Sequence, residues 1–328
     1  MAGSLPNLAA GVAVAAALLL APTIAAAQNF PERQITLVVP AAPGGVTDLL
    51  GRALAKRFTQ AWGREAIVEN KPGANNQIAA EYVTKAAPDG YTLLIGPEAT
   101  FVANPFLYAK LPYAPIKGFS PISALVSIHH ALIVNPALPV RSVADLLALA
   151  RQKPDALNYG TFGVGSTGHL NMEMLERDAG IRLVPVHYKG ATPALTDVMA
   201  GHIQLMFISV GSAVPQAKAG KVRMIAIGAP KRLPGLPDIP TVAESGVPGF
   251  EAVSWFGLYG PAGMPPAVVD KINGEVRKLF ADAEFNRTFM APQFFESIAG
   301  TPAELSARLK SDSAKWEKLI HDADIKLQ

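Results

Sequence analysis

The sequence predicts an α/β fold built as two similar halves. Three observations carry that expectation. Short β-branched runs alternate with stretches whose apolar residues recur at helical spacing. Two segments, VVPAAPGGVTDLLGRAL (38–54) and NYGTFGVGSTGHLNMEML (158–175), share one layout of strand, glycine-rich turn with Thr or Ser, and helix start. Apolar residues make up 50% of the chain and cysteine is absent, so stability must come from packed cores rather than disulfides.

The elements follow in order. QITLVVP (34–40) is a short strand ending in AAPGG, and VTDLLGRALAKRFTQAWG continues as an amphipathic helix. EAIVEN reads as a second strand and GYTLLIG (90–96) as a third, while ALIVN (131–135) opens a new block. Ser142 and Asp145 form a capping box that starts the helix SVADLLALARQ. ALNYG, RLVPVHY, IQLMFIS and VRMIAIG supply further strands, and WFGLYGPAG returns to an extended run. Two helices close the chain: PPAVVDKINGEVRKLFAD, and a second opened by Thr301-Pro302-Ala303-Glu304, where a Thr cap, a first-turn Pro and a Glu partner coincide.

Within the second segment Gly163, Gly165 and Gly168 stand at G-x-G-x-x-G spacing before a helix start. Such a turn lets the backbone approach an anion, which the unpaired N–H groups of the helix start attract. A dinucleotide site also needs an Asp or Glu about 20 residues on, for the ribose hydroxyls. The next strand, IRLVPVHYKG, ends instead in Tyr188 and Lys189, which argues against NAD and leaves open a smaller anion. One such loop per half, each at the C-terminal end of a strand, would make a clamp. Each is equally readable as a tight strand-to-helix turn.

Residues 1–27 contain no Lys, Arg, Asp or Glu and end in Ala25-Ala26-Ala27, a pattern that resembles a secretory signal peptide cleaved to leave Gln28 first. The alternative is an uncleaved anchor, since Leu8 to Ala27 is nearly long enough to span a bilayer. The net charge of +3, with no long basic run, excludes a nucleic-acid partner from the expectation. Catalysis finds little support: there is no G-x-S-x-G, and Ser166 and His169 lack an acid partner. His129 and His130 are adjacent, so they point to opposite faces of a strand, and no H-E-x-x-H occurs; neither a metal nor a cofactor is expected.

VVPAAPGGVTDLLGRALA, ENKPGANN, AAPDGYTLLIG, NPFLYAKLPY, YGTFGVGSTGHL, VPVHYKGATPALTDVMAGHIQLMF, GKVRMIAIGAPKRLPGLPDIPTVAESGVPGFE and SWFGLYGPAGMPPAVVDKIN occur in that order. Together they resemble the Bug-type solute receptors, the periplasmic substrate-binding proteins of tripartite tricarboxylate transporters. The resemblance covers essentially all of residues 30–328. It implies a type II periplasmic-binding-protein fold: two α/β lobes, 28–128 plus 251–328 and 129–250, joined by two crossovers around a ligand cleft. It further implies a monomer that binds a small carboxylate (a di- or tricarboxylate, an aromatic acid or an amino acid) and hands it to the transporter's membrane subunits. A sensor of the same fold is the alternative, and a hydrolytic enzyme a distant third.

Carried over by position, the resemblance assigns the first loop's backbone at Ala41, Gly44 and Gly45, with Thr47 and Asp48 at the helix start. From the other lobe it assigns the hydroxyls of Ser166 and Thr167 and the backbone N–H groups of Gly165 and His169. Asp48 is either a helix cap or a reader of a donor on the ligand, and Glu98 either meets such a donor or faces solvent. Where relatives commonly read PGAGG with another Gly two residues on, this chain has Pro72-Gly73-Ala74-Asn75-Asn76-Gln77.

Overall fold

The computed structural model describes residues 29–322; residues 1–27, read from the sequence as a signal peptide, and the expected start at Gln28 lie outside the described residues. β1 (Ile35–Val39) runs parallel between β2 (Ala66–Asn70) and β3 (Thr92–Pro97). β9 (Val253–Pro261) pairs antiparallel with β3 on one side and with β4 (Phe119–Val134) on the other. A second sheet sets β5 (Asn158–Thr161) parallel between β6 (Val184–His187) and β7 (Leu205–Ser209). β7 and β8 (Arg223–Ile227) flank the end of β4 in that sheet.

β4 therefore belongs to both sheets. Up to His129 it pairs with β9, and from His130 onward with β7 and β8. The sequence predicts this strand only from Ala131. Its first part escapes the pattern because Pro121, Ser123, Ser127 and two histidines interrupt the apolar run, although most of the strand is buried. The returning chain crosses beside it. His130 N–H donates to Ala252 O at 3.0 Å, Gly228 N–H to His130 O at 2.7 Å, and Ala252 N–H to Gly228 O at 2.8 Å. A Cβ on Gly228 would lie 2.3 Å from Ala252 Cβ, so only glycine lets the two crossing segments approach this closely.

Helices cover both faces of each sheet, as parallel strands buried on both sides require. Helices Val46–Trp62 and Pro266–Ala281 bury Leu54, Phe58, Ile272 and Val276 against Leu37 and Leu93. On the opposite face, helix Pro302–Asp322 brings Leu305, Leu309 and Trp316 against Phe101, Trp255 and Tyr259. In the second sheet, Leu132, Val134, Leu205 and Phe207 enter one core while Ala131, Ile133, Met206 and Ile208 enter the other, the period of two expected of strands.

Both expected capping boxes form. Ser142 Oγ accepts Asp145 N–H while Asp145 accepts Ser142 N–H, and Thr301 and Glu304 exchange the same pair of bonds. The sequence does not predict the helical turns Ala99–Val102 and Asn104–Leu107, or strand β10 (Phe295–Ser297). These pieces are too short to carry a period.

Candidate functional site

A cavity of about 550 Å³ opens where the C-terminal ends of β1, β5, β6 and β7 face one another beside the crossovers. Its first wall is the β1 loop. Gly44 has φ +86°, a conformation that glycine adopts freely, and this bends the chain into the helix that begins at Val46. Gly44 N–H is bound by Asp48 Oδ2 at 2.9 Å and Gly45 N–H by Ala42 O at 3.2 Å. The first-turn N–H groups of Val46 and Thr47 have no acceptor within the helix, and both residues line the cavity. Thr47 is only 4% exposed, and its Oγ1 has no partner among the described residues. A buried orphan hydroxyl beside a cavity calls for a partner that enters from it.

Asp48 is not part of the lining. Its carboxylate is 2% exposed and fully engaged: Oδ2 also accepts Arg52 Nε at 2.9 Å, and Oδ1 accepts Arg52 Nη2 and Asn70 Nδ2, each at 3.0 Å. Asn70 Nδ2 also donates to Ala41 O at 2.9 Å, so the pair holds the loop from behind. Burial alone would raise the carboxyl pKa; the bonds from Arg52, Gly44 N–H and Asn70 overcome it and hold Asp48 below the usual carboxylate range. The geometry thus corrects the expectation of a ligand-reading Asp48, which has no oxygen left to offer. Glu98 is corrected likewise. It is 2% exposed, faces neither cavity nor solvent, and accepts Trp255 N–H at 2.9 Å through Oε2.

The second glycine-rich loop lies across the cavity. Ser166 caps helix Thr167–Ala179 by accepting His169 N–H at 3.4 Å, and Gly165 N–H donates to His169 Nδ1 at 3.1 Å. Both N–H groups that the resemblance assigns to the ligand are therefore spent inside the loop, and neither Gly165 nor His169 lines the cavity. The ring instead braces the loop. An acceptor Nδ1 puts the proton on Nε2, which faces Glu173 Oε1 at 3.2 Å, and Tyr159 OH donates to the same oxygen at 2.8 Å. Ser166 and Thr167 do line the cavity, with Ala41, Gly44, Gly45 and Thr47 opposite.

Three further strand-to-helix junctions converge here without any glycine-rich motif to mark them. Gly190 precedes helix Ala191–Ala200, Ser209 precedes helix Val210–Lys218, and Asn76 precedes helix Gln77–Thr84; all three line the cavity. The Asn75-Asn76 departure has a backbone reason. Ala74, Asn75 and Asn76 have φ of +46°, +48° and +72°, and asparagine is among the non-glycine residues that best tolerate this region. Among the described residues, the cavity lining holds no Asp or Glu and one lysine, Lys189. Ile128, Phe162, Leu195, Ile208 and Phe256 supply apolar wall. The missed contributors were findable from the rule that ligands sit at strand C-termini, applied to VPVHYKG and IQLMFISVGS as well.

A family model described as the tripartite tricarboxylate transporter family receptor, TctC, matches residues 50–325. The chain belongs to this family. Among solved structures, the receptor is 36% identical to an R. palustris protein solved with adipate, covering 91% of this chain and 100% of that one at a TM-score of 0.88. It is 33% identical to the periplasmic binding protein BugD, over 91% and 100% of the two chains, at a TM-score of 0.85. It is 31% identical to MatC from Rhodopseudomonas palustris with bound malate, over 89% and 100%, at a TM-score of 0.83. The receptor thus has the type II periplasmic-binding-protein fold of the Bug type, as its sequence predicts.

Proposed function

We propose that the receptor binds a small carboxylate in this cavity, outside the cytoplasm, and delivers it to the membrane subunits of a tripartite tricarboxylate transporter. One observation carries the reading. The starts of helices Val46–Trp62, Gln77–Thr84, Thr167–Ala179, Ala191–Ala200 and Val210–Lys218 all meet at one cavity whose lining, among the described residues, has no acidic side chain. Each contributes unpaired N–H groups and the positive end of a helix dipole, so the cavity is polarised for an anion. Adipate and malate, the ligands of two relatives, are both carboxylates.

The lobes would be 28–128 plus 251–328 and 129–250, closing about the crossovers at His130 and Ala252. Tyr108 OH donates to Val164 O at 3.3 Å, a bond between segments on opposite sides of the cavity that closure would tighten. A ligand favours the closed form by the difference in its contacts with the two forms. A thermal-shift panel of di- and tricarboxylates, aromatic acids and amino acids tests the reading. At least one acid should stabilise the protein, by about 2.7 kcal/mol at 100 times its Kd. Stabilisation by sugars or amines alone would contradict it.

Export follows from the same reading. Protein recovered from the periplasm should have the intact mass of a chain beginning at Gln28, and recovery of the chain with Met1 in the membrane pellet would contradict export with cleavage.

A further inference from the structure

The floor of the cavity carries a polar patch that the anion-binding helix starts do not explain. His130 lies directly opposite Ser209 in the β4–β7 ladder, and Ile128 opposite Ser254 in the β4–β9 ladder. Paired residues share a face and alternate residues point the same way, so these four side chains are directed together, and all four line the cavity. His129, one residue out of phase, lies beside Glu296 instead.

The His130 ring has one defined bond, from Nδ1 to Ala252 O at 3.3 Å. A carbonyl oxygen only accepts, so the proton is on Nδ1 and Nε2 is left with a lone pair. Burial pushes the pKa down to about 4, and the ring is neutral at physiological pH. No protein group among the described residues donates to Nε2. Ser209 Oγ and Ser212 Oγ share one hydrogen bond at 2.8 Å, and both hydroxyls line the cavity. A ligand carboxylate oxygen placed against His130 Nε2 would face a lone pair, whereas a hydroxyl or N–H would be bound.

We infer that His130 reads a hydrogen-bond donor on the ligand, so that the receptor selects a hydroxy- or amino-substituted carboxylic acid over the same acid without the substituent. The inference rests on the carboxylate reading and adds to it the chemistry of the ligand's other end. Because Nδ1 holds the crossover strand at Ala252, the ring is fixed in place before the ligand arrives, which lowers the ordering cost of reading it. An acid without a donor would leave Nε2 unpaired or trap a water there.

Calorimetric titration of the mature receptor at pH 7.5 with three matched pairs tests this: malate with succinate, 4-hydroxybenzoate with benzoate, and glutamate with glutarate. At least one donor-bearing member should bind about tenfold tighter than its partner. In His130→Phe that ratio should fall toward one, while the unsubstituted acid changes little; His130→Gln, which keeps both a donor and an acceptor, should retain part of it. Should His130→Phe fail to fold, His130→Leu supplies the same reading. Equal affinities within every pair in the wild-type protein would overturn the inference and leave the carboxylate reading standing, as would a preference undiminished in a folded His130→Phe or His130→Leu. Failure of all six acids to bind, with no acid of the thermal-shift panel stabilising the protein, would remove the carboxylate reading and this inference with it.

Discussion

Replacing Asp48 with alanine should cost about 2–4 kcal/mol of folding stability and weaken ligand binding by about 100-fold. The substitution strips acceptors from Gly44 N–H, Asn70 Nδ2 and the Arg52 guanidinium at once. With Asp48 gone, neither the left-handed turn at Gly44 nor the hold of Asn70 on Ala41 O is fixed, and the helix start that faces the ligand moves with them. The exposed half of the Arg52 pair adds little, so most of the cost falls on the buried bonds to Gly44 and Asn70. Asp48→Asn, which keeps one acceptor oxygen, should lie between. The pH dependence has a definite sign. Asp48 is held below its usual 3.8, so its contribution is complete above that pH and is lost as pH falls through the lowered value. Urea denaturation at pH 7 and pH 3, with calorimetry on the same proteins, checks both parts. Near-normal stability and affinity in Asp48→Ala would show that the loop does not depend on this carboxylate.

Glu98 should produce the opposite pH signature. Its carboxyl lies behind the cavity wall with Oε2 on Trp255 N–H and, among the described residues, no partner for Oε1. Burial pushes its pKa from 4.5 up to about 8, so in the folded protein it is a neutral acid at pH 7, whereas the unfolded chain carries it ionised. For such a raised pKa the contribution to stability is complete below about 4.5 and is lost progressively as pH rises to about 8. Glu98→Gln keeps an acceptor for Trp255 and cannot ionise. It should match the wild type near pH 4.5 and exceed it by about 2–4 kcal/mol at pH 9, with ligand affinity unchanged. Parallel stability curves for the two proteins from pH 4.5 to 9 would contradict the assignment of a neutral Glu98.

These two carboxylates also mark where the sequence stops being legible. The strands QITLVVP and IQLMFIS, the Ser142–Asp145 and Thr301–Glu304 boxes and the two glycine-rich loops are local features, determined by residues within about five positions, and all of them form. The roles of Asp48 and Glu98 depend on distant partners: Asn70, 22 positions away, and Trp255, 157 positions away. No local pattern announces either contact. Gly165 and His169 show a subtler limit. The resemblance places them in a loop beside the cavity, but whether an N–H points into the cavity or at the His169 ring depends on a side-chain rotamer. His130 was visible only as half of an adjacent histidine pair, because the strand that aims it into the cavity was predicted to begin one residue later.

Under the proposed function the cavity binds the carboxylate group itself, through converging helix starts. The most direct test is calorimetry with the tightest-binding acid and with its fully methylated ester, in which each carboxylate loses its charge and gains a methyl group. The acid should bind one per chain and the ester at least 100-fold more weakly, since masking removes the charge that the N–H groups and helix dipoles recognise. An ester that binds as well as its acid would contradict the account.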